Sequence, residues 1–153
     1  GGITVEQPLA IPGVALVRRH GMLHLLLDAS RQPFPGNEGD WRLARAAWRT
    51  RCGMGQDAAS GVIWHDPEDD GAGRRIWPAV EVRASASEHL ETACGSASLA
   101  LAFYEYLKMC ASGSNRSEDK VRSFQIRQPS GQNLLVVIEP GIQSPHSRHP
   151  AAA

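Results

Sequence analysis

The sequence predicts an α+β domain in which a curved, mostly antiparallel sheet wraps around one central, buried helix. The apolar runs Val14–Val17 and Leu23–Leu27 form one pair, and the partly alternating segment 121–128 forms another with the apolar run Leu134–Ile138; polar turns separate the members of each pair. Such pairs predict β-hairpins. The segment Ala97–Cys110 has apolar side chains around nearly its whole circumference, and a helix of that kind must be buried. Strands surrounding one apolar helix favour an α+β architecture.

The composition bounds the size of the fold and the classes of partner. A chain of 153 residues has room for one ordinary domain, which we assign to residues 1–140. Residues 141–153 are rich in Pro, Ser, His and Ala without periodicity, and they predict a disordered tail. The 16 basic and 16 acidic side chains balance, and no run of like charge predicts a nucleic-acid partner or a polybasic membrane patch.

Hydropathy and cysteine usage predict a location in the cytoplasm. The apolar stretches are far shorter than the ~20 residues that a bilayer requires, and no basic segment followed by an apolar one marks a secretory signal. The three cysteines lack Cys-x-x-Cys spacing, so neither a disulfide framework nor a zinc ribbon is expected.

After the first hairpin, a Pro-rich break precedes a helix. Asn37 or Asp40 is a candidate cap, and the apolar stripe of Trp41–Trp48 predicts a helix on the surface. Gly61–Trp64 then predicts a buried strand.

A second strand is expected within Arg75–Arg83. Pro78 lies inside that segment and predicts an edge strand or a bulge. The apolar helix and the second hairpin follow, and the turn of this hairpin lies at 129–131.

Cys94 stands where the apolar helix begins and is the candidate for chemistry. Free amides of the first helical turn would lie beside the sulfur, favouring a thiolate and binding a carboxylate. Gly95 and the small residues after it leave the backbone open to a ligand. The alternative is that Cys94 is a small buried hydrophobe at a strand-to-helix turn.

The segment Glu91–Ala100, with the sequence ETACGSASLA, resembles the second cysteine motif of the diaminopimelate epimerase-like superfamily. That family includes proline racemases and the histidine racemases of opine-metallophore biosynthesis. Gly21–His24, Gly61–Trp64 and Gln128–Gly131 resemble further family segments in the same order. The resemblance covers roughly residues 10–140 and corresponds to the C-terminal half of such proteins.

The resemblance implies a protein of two similar lobes with one catalytic cysteine in each. One thiolate takes the α-proton of an amino acid, and the opposite thiol returns a proton to the other face, without pyridoxal phosphate or metal. Cys94 matches the cysteine of the C-terminal lobe, so this chain alone is expected to be inactive. Its partner would be an N-terminal lobe carrying the second cysteine, or another copy in a homo-oligomer. The expected substrate-binding residues are Gly95, Ser96, Ala97, Glu91 and His24.

Departures from the family pattern bear on the substrate. The stretch Arg83–Ser87 lacks the Glu-Arg pair of diaminopimelate epimerases, and Gly21–His24 lacks their asparagine, so diaminopimelate is disfavoured. Glu91 is similar to the histidine racemases, which makes a free amino acid such as histidine the leading substrate. A non-catalytic module that binds a small carboxylate or a protein, and a lyase of the same fold, remain alternatives.

The other candidate residues also have structural interpretations. His24 could orient substrate or satisfy a hydrogen bond within the sheet. Cys52 follows the predicted surface helix and does not stand at the start of a buried helix. Cys110 lies at the end of the apolar helix, where carbonyl dipoles disfavour a thiolate. We therefore expect packing roles for both.

Overall fold

The computed structural model describes residues 2–7, 10–36, 39–55, 57–112 and 120–139. These residues form two helices, α1 (Asp40–Arg51) and α2 (Gly95–Ala111). Their strands are β1 (Thr4–Glu6), β2 (Val14–Arg19), β3 (Met22–Asp28), β4 (Ala59–His65), β5 (Arg74–Val82), β6 (Ser87–Leu90), β7 (Arg122–Arg127) and β8 (Asn133–Ile138). The predicted tail, residues 141–153, lies outside the described residues.

The strands form one curled sheet in the order β1-β2-β3-β4-β5-β7-β8, with β6 paired to β5 beside this path. Neighbouring strands are antiparallel except for β3 with β4 and β5 with β7, which are parallel. The sheet curls into a half-barrel. The predicted α+β class with a curved, mostly antiparallel sheet is therefore confirmed.

Both predicted hairpins are present. β2 pairs antiparallel with β3 across a turn at Gly21, whose φ of 72° suits glycine. β7 pairs antiparallel with β8 across a turn that includes Gly131, with φ of 89°. Apolar runs bounded by turn residues were sufficient to predict them.

Helix α1 lies on the outer face of the sheet, as predicted. Trp41 is 3% exposed whereas Leu43 is 76% exposed, so one stripe packs and the other faces solvent. The expectation that Asp40 caps this helix is wrong, because Gly39 occupies the cap position and Asp40 is the first helical residue. The other candidate, Asn37, lies outside the described residues.

Helix α2 is buried on one side only, which corrects the prediction of burial all round. Phe103, Tyr106 and Leu107 are half-exposed, whereas the buried residues are Ala97, Ser98, Ala100, Leu101 and Ala102. The physical reason is that a half-barrel covers only one side of the helix, which packs against β3, β7 and β8.

Pro78 lies within an interior strand. β5 pairs with β4 on one side; on the other it pairs with β7 at Arg74–Arg75 and with β6 from Ala79 onward. Pro78 therefore falls where the partner changes. Its carbonyl accepts from the Glu91 amide at 2.9 Å, while proline itself has no N–H to donate to a ladder.

The sheet separates two apolar clusters. The α2-side core consists of Ala15, Val17, Leu26, Ile63, Ile76, Val80, Cys94, Ala97, Ala100, Leu101 and Ile126. The α1-side core consists of Val14, Leu16, Leu23, Leu25, Leu27, Trp41, Met54, Val62, Trp64 and Ala79. Alternate residues of β2 to β5 enter opposite cores, as the period of two in a strand requires.

Candidate active site around Cys94

Cys94 is the residue at which the chain changes from extended to helical. Its φ of −140° and ψ of 103° are extended, and it precedes the first helical residue, Gly95. The Cys94 carbonyl accepts hydrogen bonds from the Ser98 amide at 3.1 Å and the Ser98 hydroxyl at 2.8 Å. The predicted location of Cys94 at the helix start is confirmed.

Gln128, which directly follows β7, fixes this start through its side chain. Its Oε1 accepts from the Cys94 amide at 2.8 Å, while its Nε2 donates to Ser98 Oγ at 2.9 Å and to the Ile126 carbonyl at 3.0 Å. Gln128 is 3% exposed, and its Oε1 and both hydrogens of its Nε2 take part in these hydrogen bonds. The sequence indicated Gln128 only as part of a turn, because its partners lie about thirty residues away in the chain.

The Cys94 thiol is 5% exposed and its sulfur lies 3.4 Å from Ser96 Oγ. Burial raises the pKa of this thiol, and the nearby Glu91 carboxylate raises it further. Hydrogen bonds from Ser96 and from the Ala97 amide lower the pKa but do not reverse the direction. The Ala97 amide thus acts in the direction that the helix start predicted, but a thiolate is not favoured on balance, because desolvation of the charged sulfur outweighs the donors.

The three backbone amides that the sequence predicted to bind a substrate are not equally free to do so. The Ala97 side chain is 0% exposed, and its amide is directed to the Cys94 sulfur, so it is not free for a ligand carboxylate. Gly95 is exposed, and a Cβ added there would meet nothing within 4 Å. The first-turn amides of Gly95 and Ser96 have no carbonyl one turn earlier to bond, and they remain the candidate anion donors.

His24 lies on β3 on the α2 side of the sheet, like Leu26 two residues later. It is 2% exposed, and its Nδ1 has no hydrogen-bond partner among the described residues. Burial, with a smaller effect of Arg19, lowers the pKa of His24 to about 4, so the ring is neutral. In the part of the chain that the structure describes, no hydrogen bond joins His24 to Cys94.

The remaining cysteines lie away from Cys94. Cys52 packs against the α1-side core, across the sheet, and burial raises the pKa of its thiol. Cys110 lies in the last turn of α2, and Cys94 precedes its first turn. The helix has 17 residues, so the two cysteines lie at opposite ends of it. All three thiols are free. Cys52 and Cys94 thus do not form one site.

Comparison of the chain with models of protein families found no match, and comparison with curated proteins found no significant one. Neither described helix combines the length and apolar character that crossing a membrane would need.

Proposed function

We propose that this chain is the C-terminal catalytic lobe of a cofactor-independent amino-acid racemase or epimerase. The observation that carries the proposal is the position of Cys94, which immediately precedes α2 with its sulfur 3.4 Å from Ser96 Oγ. The open surroundings of Gly95 allow a small ligand to approach the first-turn amides. The resemblance of Glu91–Ala100 to a catalytic cysteine motif supports the same assignment.

In the proposed reaction Cys94 acts opposite a second cysteine. The C–H bond at the substrate Cα breaks, and its proton goes to the thiolate of that second cysteine. The S–H bond of Cys94 then breaks, and its proton goes to the opposite face of Cα, which inverts the centre. The Gly95 and Ser96 amides bind the substrate carboxylate and stabilise the negative charge that develops on it.

The raised pKa of Cys94 supports the role of proton donor. A thiol that resists ionisation is protonated at neutral pH, as the donor must be. The second cysteine would come from an N-terminal lobe or from another copy of the chain. The proposed substrate is a free amino acid, with histidine as the first candidate on the pattern of Glu91.

One observation favours a second function, a non-catalytic module that binds a small carboxylate or a protein partner. Reactive cysteines commonly have a lowered pKa, whereas that of Cys94 is raised. Such a module would use the Gly95 and Ser96 amides for binding and leave Cys94 as packing.

An exchange experiment in heavy water distinguishes the two proposed functions. The chain together with a lobe that supplies the second cysteine is incubated with free amino acids, and mass spectrometry follows deuterium at Cα while chiral chromatography follows inversion. We expect Cys94→Ser to lower both by about 100-fold or more, and Cys110→Ser, which changes another cysteine of α2, to leave both unchanged. Saturable amino-acid binding without exchange or inversion would instead establish the binding module.

A further inference from the structure

A second polar cleft lies on the α1 side of the sheet, away from Cys94. It has a volume of about 490 Å³, which is within the usual range of small-molecule sites. Its walls are the second half of α1, the loop that follows it, and the exposed parts of β5 and β6. The lining residues include Arg45, Arg49, Thr50, Gly55, Glu81 and Glu88.

Arg45 forms the floor of this cleft, with its side chain 3% exposed. It donates to Glu81 Oε2 at 3.2 Å and to Glu88 Oε1. Its Nε is buried without a hydrogen-bond partner among the described residues. A buried guanidinium with an unused donor is costly to maintain, and it is unusual on a surface helix unless the site has a further role.

Two other groups leave hydrogen-bonding capacity at the surface of the cleft. Arg49 donates through Nε to the Met54 carbonyl at 2.6 Å and through Nη1 to Glu81, which leaves its Nη2 without a partner in the described segments. Glu88 uses Oε1 for Arg45, and none of the described side chains bonds its Oε2. The side chains of Arg49 and Glu88 are 30% and 33% exposed, so a ligand can reach both.

The charges determine which class of ligand fits. The positive charges of the two guanidinium groups balance the negative charges of the two carboxylates. Both oxygens of Glu81 already accept hydrogen bonds, one from Arg45 and one from Arg49. A simple anion at Arg49 would be repelled by the carboxylates, and a simple cation at Glu88 would be repelled by the guanidinium groups. A small ligand carrying both charges can bond the free Nη2 of Arg49 and the free Oε2 of Glu88, each with a charge-assisted hydrogen bond.

We propose that this cleft is a second site, which binds a small zwitterion such as a free α-amino acid, with its carboxylate on Arg49 and its ammonium group on Glu88. The site shares no residue with the Cys94 site, so it does not depend on the function proposed above.

The test is a titration of the isotopically labelled chain with L-alanine, followed by amide chemical shifts. We expect saturable shifts at Thr50, Gly53 and Gly55, and much weaker ones with acetate or methylammonium, which carry only one charge. Shifts confined to Gly95 and Ser96 would assign the binding to the Cys94 site and overturn the proposal. Absence of saturable shifts would overturn it as well.

Two variants and two controls complete the test. Glu88→Gln keeps a carbonyl acceptor for Arg45 but removes the charge, and Arg49→Gln removes the free donor. Each should weaken L-alanine binding about tenfold or more, the effect of losing one charge-assisted hydrogen bond. Arg42→Gln, on the same helix but stacked on Trp41, and Glu68→Gln, in an exposed loop, should bind like the unchanged chain. If Glu88→Gln binds equally well, the proposal is refuted; circular dichroism of each variant checks that it is folded.

Discussion

Two histidines that are buried without charge should make this fold sensitive to mild acid. His24 and His65 are each 2% exposed, and burial lowers the pKa of both to about 4. His65 Nδ1 donates to the Asp66 carbonyl at 2.7 Å, whereas its Nε2 has no partner among the described residues. The hydrogen bond to Asp66 raises the pKa of His65, as do the charges of Asp28 and Glu105, but together they do not offset burial, which the charge of Arg74 reinforces.

The size of the effect follows from proton linkage. The ordinary pKa of histidine is 6.5, so between that pH and about 4 the unfolded chain binds protons that the folded chain does not. The two histidines therefore cost no stability above pH 6.5. As the pH is lowered below 6.5, the free energy of unfolding decreases by about 1.4 kcal/mol per pH unit for each histidine. Over the whole interval each histidine costs about 3 kcal/mol, and the two together approach the total stability of an ordinary domain, roughly 5–15 kcal/mol.

Urea unfolding between about pH 6 and about pH 5 measures this dependence before most carboxylates titrate. The pKa values of Asp28 and Glu105 are lowered, so these groups affect stability only below that interval. We expect His65→Gln to reduce the slope of unfolding free energy against pH by about 1.4 kcal/mol per unit. His89→Gln, at an exposed position of β6, controls for the loss of one histidine. Equal slopes for the two variants would refute the reasoning.

Two substitutions and one labelling experiment test individual features of the fold. Gln128→Leu leaves the Cys94 amide without its acceptor and should destabilise the fold by about 2 kcal/mol in urea unfolding, whereas Gln132→Leu, at an exposed position, should have little effect. Gly61→Ala places a Cβ 3.1 Å from Ile63 Cδ1 and should cost about 1 kcal/mol, which thermal unfolding checks; an unchanged midpoint contradicts the crowding. Iodoacetamide should alkylate Cys94 at least about tenfold more slowly than a free cysteine peptide, as measured by mass spectrometry, and rapid labelling would contradict its burial and raised pKa.

The sequence predicted those elements that local periodicity specifies. The apolar runs of the two hairpins and the length of α2 are local signals, and the structure has these elements where they were expected. The parallel pairing of β3 with β4 and the short polar strand β6 carry no such signal. Both depend on contacts between distant segments of the chain.

In the candidate site, too, the local features could be predicted from the sequence and the contacts between distant segments could not. A helix start at Cys94 could be predicted from Gly95 and the apolar run after it, because helix initiation is local. The Gln128 side chain that holds the Cys94 amide could not, since only the folded sheet brings the two together. The same holds for the contacts of Arg45 with Glu81 and Glu88, which join α1 to strands more than thirty residues later.

The raised pKa of Cys94 leads to a prediction for the proposed reaction. In the direction in which Cys94 removes the α-proton it must first ionise, and a thiolate with a raised pKa is a stronger base toward a weakly acidic C–H bond. Because only the ionised fraction reacts, kcat/KM in that direction should increase with pH beyond the ordinary thiol value of 9.0. Ser96→Ala removes a hydrogen bond that lowers this pKa, so the profile should move to still higher pH. The assay is the pH dependence of racemisation by the chain with its second-cysteine partner, measured from each enantiomer; a plateau near neutral pH from both would show that Cys94 is not the base.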